Sequence, residues 1–106
     1  MFSINNEIWY IKFVSPYSDY LQRSDGSFTI GVCDDNTKTI YIDQTLFGKF
    51  LKKVICHELT HAAMFAYDVE LTLEQEELLA DLIAIYGEEI VDMTDALFER
   101  LKERDI

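Results

Sequence analysis

A single proline and four glycines in 106 residues leave no stretch with the composition of a flexible or proline-rich linker. The length suits one domain, so residues 1–106 are expected to fold around a single core. Cysteine is nearly absent too. Cys33 and Cys56 are too few for a disulfide framework and read as two free thiols, with Cys56 packed inside a helix. Bases are outnumbered: nine Lys and Arg face twenty Asp and Glu, a formal charge of −11. Such a balance repels phosphate backbones and anionic lipid, which disfavours nucleic acid and membrane as partners; it suits a basic peptide or protein better. No apolar run approaches a bilayer span, and Met1-Phe2-Ser3-Ile4-Asn5-Asn6-Glu7 lacks the basic stretch and apolar core of a signal peptide, so a cytoplasmic location is expected.

What is present is apolar enough, at 49% hydrophobic residues, to exclude a disordered tail. Glu7 to Val14 places Trp9, Ile11 and Phe13 on one face at period two and reads as a strand. Ser15 to Ser27 is turn chemistry with room for one helical turn. Phe28 to Cys33 and Lys38 to Ile42 flank the polar link Asp34-Asp35-Asn36-Thr37 and read as an antiparallel hairpin. From about Gln44 to Tyr67, Phe50, Val54, His57, His61 and Phe65 recur at helical spacing as an inward-facing stripe. Thr72-Leu73-Glu74-Gln75 has the capping-box pattern and opens a second helix towards Ile90. The tail from Asp92 continues it or forms a third helix, with Phe98 and Leu101 expected in the core. The fold class is α+β, with about three antiparallel strands packed on two helices.

Both histidines of the chain fall in His57-Glu58-Leu59-Thr60-His61, the HExxH pattern. Residues four apart on a helix share a face, so two imidazoles can reach one metal ion. Zn²⁺ suits imidazole and carboxylate ligands and leaves one position for water. Glu58, next to the first histidine, is placed to take a proton from that water as it attacks a carbonyl and to return it to the leaving amine. A third protein ligand is still required, and the second helix offers Glu74, Glu76, Glu77 and Asp81, with Glu88 and Glu89 further on. The first three also suit a helix N-terminus as plain first-turn acids.

Glu77-Leu78-Leu79-Ala80-Asp81 resembles the E-x-x-x-D element that follows HExxH in thermolysin-like gluzincins, and the E-x-x-A-[DN] element of ImmA/IrrE-type metallopeptidases. The hairpin Gly31-Val32…Thr39-Ile40-Tyr41-Ile42-Asp43 ahead of the HExxH helix is similar to that of small phage-encoded zincins, so the likeness covers roughly residues 28 to 91. It implies a minimal zincin fold, a Zn²⁺ held by His57, His61 and Glu77 in preference to Glu76, and Asp81 taking a hydrogen bond from His57. It also implies a peptidase acting on a peptide or protein, often one regulatory protein. The alternative is a catalytically silent zincin-shaped binding protein of phage or mobile-element type. Tyr41, Tyr67 and Tyr86 are candidates to steady an oxyanion, though each reads more readily as a packed aromatic. A sheet edge beside the cleft would let an extended substrate pair with it. A purely structural zinc would need Cys33 or Cys56 as a fourth ligand.

Overall fold

The computed structural model describes residues 1–102. Among them the chain forms strands β1 (Phe2–Ile4), β2 (Glu7–Val14), β3 (Gly31–Asp34) and β4 (Thr39–Asp43), a 3₁₀ turn at Asp19–Leu21, and helices α1 (Gly48–Ala66) and α2 (Leu73–Lys102). The architecture is α+β with a four-stranded mixed sheet in the order β1-β2-β4-β3.

The sheet departs from three antiparallel strands in two ways. β1 adds a strand, paired antiparallel with β2 from Phe2↔Trp9 to Ile4↔Glu7. Asn5 and Asn6, at φ 48° and 64°, supply the two left-handed residues that a two-residue hairpin turn demands and that Asn tolerates. β2 and β4 run parallel, Tyr10↔Thr39 to Val14↔Asp43, because the long connection between them contains β3, which reverses the chain once more. β3 and β4 form the expected hairpin, closed by Asp34 Oδ1 accepting from the Asn36 backbone N–H at 2.9 Å.

β4 is an interior strand, between β2 and β3, and every one of its residues is buried. Ile40 and Ile42 join Trp9, Val54 and Ala62 in the core against α1. On the opposite face, Tyr20 of the 3₁₀ turn stacks on Tyr41 with ring centroids 4.2 Å apart and planes 5° from parallel. A strand covered on both faces carries an apolar residue at nearly every position.

α1 begins four residues later than its apolar periodicity suggests. Asp43 Oδ1 accepts from the Thr45 backbone N–H at 2.8 Å and from its hydroxyl at 2.7 Å, and this local turn holds Gln44 to Phe47 out of the helix. α1 ends in a Schellman arrangement: Asp68 lies at φ 52°, and the Val69 N–H donates to the Met64 carbonyl at 2.9 Å. α2 opens with a reciprocal capping box, Gln75 N–H to Thr72 Oγ1 at 3.2 Å and Thr72 N–H to Gln75 Oε1 at 3.1 Å. It then continues unbroken for 30 residues, so among the described residues the tail extends α2 and forms no third helix. α1 lies antiparallel to it and reaches only as far as Glu88, which pairs with Lys52 at 3.0 Å. Beyond that point every described residue of α2 is exposed, and Phe98 and Leu101, expected in the core, are among them. No helix among the described residues is long and apolar enough to cross a membrane.

Candidate metal centre

His57 and His61 sit one turn apart on the α1 face that meets α2. The antiparallel packing of the two helices brings Glu76, Glu77 and Asp81 opposite them. Asp81 Oδ1 lies 3.0 Å from His57 Nδ1, and Glu76 Oε1 lies 2.7 Å from His61 Nδ1. A carboxylate accepts, so each Nδ1 is set to donate, and in a neutral imidazole that leaves the Nε2 lone pair for a metal. The two Nε2 atoms are 3.2 Å apart. Glu77 reaches between them, Oε2 at 3.3 Å from His57 Nε2 and Oε1 at 3.0 Å from His61 Nε2. Among the described residues, His57, His61 and Glu77 form a group able to hold a metal ion, each offering one ligand atom, with these atoms within 4.8 Å of one another.

Three lone-pair donors pointed at one another repel unless a proton or a metal cation stands between them. Two ligand atoms each about 2.0–2.1 Å from a tetrahedral Zn²⁺ are about 3.3 Å apart, close to the 3.2 Å between the two Nε2 atoms and to the distance from each to one of the two Glu77 oxygens. The donor set and its spacing fit such an ion.

Glu58 follows His57 but projects 100° further round α1, towards β3. It is 6% exposed, and its Oε2 is buried without a hydrogen-bond partner. Burial pushes its carboxyl up, nearby Glu77 acts in the same direction, and His57 and His61 oppose this only when protonated. Space for it comes from Gly31. A Cβ at that position would stand 3.1 Å from both Glu58 Cγ and Val54 Cγ1, tighter than side chains normally approach. The isolated glycine in the run Phe28 to Cys33 was the available signal for this close contact.

No family model, curated protein or solved structure matches the chain.

The histidines and carboxylates open into a cleft of about 790 Å³ between α1, α2 and β3, walled by apolar side chains such as Ile30, Val32, Phe50 and Ile85. β3 is the outer strand of the sheet on this side. Because the Asp43 N–H donates to the Ile30 carbonyl at 3.0 Å, the register gives Ile30, Val32 and Asp34 to β4. It turns the backbone N–H and C=O of Gly31 and Cys33 to the free edge. The tyrosines expected near the site lie elsewhere. Tyr41 is buried under Tyr20, Tyr67 and Tyr86 are exposed, and among the described residues none lines the cleft. Cys33 does line it, with burial and then the charge of Glu58 and nearby acids pushing its thiol up to about 12, but among the described residues it is not in the group placed to hold a metal. Both cysteines are free. Glu76 was legible in the sequence only as a rival ligand or a first-turn acid. Its place beside His61 follows from its position one residue before Glu77 on a helix that crosses α1 at this point.

Proposed function

We propose that this chain is a zinc-dependent metallopeptidase of minimal zincin fold, hydrolysing a peptide bond in a peptide or protein substrate. The observation that carries the reading is the convergence of His57 Nε2, His61 Nε2 and Glu77 while both Nδ1 atoms are taken up by carboxylates. His57, His61 and Glu77 would hold the ion, and zinc bound there supplies Lewis acidity and lowers the pKa of a water to roughly 7. Glu58 is the general base and then the general acid: its carboxylate takes a proton from the attacking water and delivers it to the nitrogen of the leaving amine. A buried carboxyl with a raised pKa and a free oxygen suits both halves of that task. Asp81 and Glu76 fix the ring orientations and keep both protons on Nδ1. An extended substrate can align on the free edge of β3 through the backbone groups of Cys33 and the N–H of Gly31, whose carbonyl already accepts from the Thr29 hydroxyl at 3.5 Å. The likeness of HExxH-x15-E-x3-D to ImmA/IrrE-type and thermolysin-like enzymes supports the same assignment, and with it a regulatory protein as substrate.

The test is cleavage of a mixed peptide library by zinc-reconstituted protein, with products read by mass spectrometry. Wild type should yield defined products, and Glu58→Gln should retain zinc while cutting at least ~10²-fold more slowly. Equal cleavage by both forms would contradict the role given to Glu58. Activity in a biological setting that survives Glu58→Gln would instead favour a silent binding protein.

A further inference from the structure

The far half of α2 is an apolar face without a cover. Every residue from 88 to 102 is exposed. A helix of that length standing alone is marginal in water, and its composition here is not that of a solvent-facing strut. At about 100° per residue, Ile83, Tyr86, Ile90, Met93 and Leu97 form one seam at alternating spacings of three and four. Val91, Phe98 and Leu101 lie beside it on the same side. All eight are between 37% and 57% exposed. Glu88, Asp92, Asp95 and Glu99 occupy the opposite side, so the helix is amphipathic with its apolar half turned to solvent.

We propose that this face pairs with its own counterpart in a second copy of the chain, the two α2 helices lying antiparallel about a two-fold axis between Thr94 and Asp95. Two features select a second copy. Six of these side chains, from Ile90 to Leu101, lie where the two-fold sets residues 87–102 of one copy against 102–87 of the other; at about half exposure they offer on the order of 500 Å² per copy, so a symmetric pair removes roughly 1,000 Å², the size of a weak, concentration-dependent dimer. The rim is also self-complementary. Glu89 and Arg100 are eleven residues apart, which brings them within about 20° of each other around the helix, on one border of the stripe. Neither is in an ion pair among the described residues. The two-fold sets Glu89 of each copy opposite Arg100 of the other, twice over, as an isologous interface requires. The acids of the opposite face point outward and do not meet. The seam begins at Ile83, past the metal-binding residues, so the pairing leaves the cleft between β3 and α2 open and does not depend on the zinc reading.

Sedimentation equilibrium on wild type at about 100 μM should give twice the chain mass of 12.4 kDa. Leu97→Glu and Ile90→Glu should give the single-chain mass while the fluorescence of Trp9, buried in the body of the fold, stays unchanged. Glu89→Arg alone and Arg100→Glu alone should each raise the dimer Kd about tenfold or more, and the two together should restore it. A single-chain mass for wild type at every concentration, which would leave the face to some other partner, overturns the proposal. So does a dimer indifferent to Leu97→Glu, or a double reversal that fails to restore pairing.

Discussion

Asp81 and Glu76 hold the far nitrogens of the two histidines, and neither would have to touch an ion at the proposed site to affect how tightly it is bound. Removing an outer partner of this kind commonly costs 10–100-fold in metal affinity. Asp81→Asn and Glu76→Gln are therefore each expected to weaken zinc binding by about that factor, read by competition with a chromogenic chelator. Glu58 differs, because its carboxyl is buried and its pKa raised. The folded state favours its protonated form, so that contribution is complete below the ordinary carboxylate range and is lost as pH rises through the folded-state pKa. In chelator-treated protein, Glu58→Gln should be more stable than wild type at neutral pH, and the difference should vanish towards acid pH in urea titrations. A difference that grew on acidification would contradict the buried, unpartnered carboxylate. His57, Glu58 and His61 stand out in the sequence because the chemistry dictates both residue type and spacing. Glu77 and Asp81 needed a family resemblance to be selected, and Glu76 needed the crossing of two helices, which no local pattern encodes.

At the scale of elements, the close approach of β3 to α1 rests on one missing side chain. Gly31→Ala would put a methyl 3.1 Å from Glu58 Cγ and Val54 Cγ1, and overpacking of this sort costs about 1–3 kcal/mol. The expected result is a thermally weakened protein that still binds zinc, with hydrolysis reduced beyond what the lost stability explains, because Glu58 must move. A Gly31→Ala variant with wild-type turnover and melting temperature would show that the strand has slack. The β3–β4 hairpin, both helices and the Thr72 cap were legible because period, turn chemistry and capping are local. β1 is three residues long, below what periodicity can register, although Asn5-Asn6 was a hairpin signal. The parallel pairing of β2 with β4 is a long-range choice. The delayed start of α1 came from Asp43 competing for the backbone, against an apolar pattern that continued through it.

At the scale of the whole molecule, the extents of 57 × 30 × 28 Å record a small body with a long helix projecting from it. Phe98 and Leu101 have the periodicity of core residues, but α1, at 19 residues, is too short to cover them, a mismatch of lengths that pattern alone does not reveal. The body itself gathers Glu58, Glu76, Glu77 and Asp81 around two imidazoles, an acidic concentration that a divalent cation would relieve. Binding to the folded state alone contributes about 4 kcal/mol at a free-ion level of roughly 1,000 Kd. At roughly 4–8 °C per kcal/mol, the chelator-treated protein should melt on the order of 20 °C lower than the zinc-loaded one. The most direct test of the account is metal content by inductively coupled plasma mass spectrometry on untagged protein, with His57→Ala and Glu77→Ala measured beside it. One zinc per chain, lost in both variants, is the predicted result; wild-type protein that takes up no zinc even after reconstitution would contradict it.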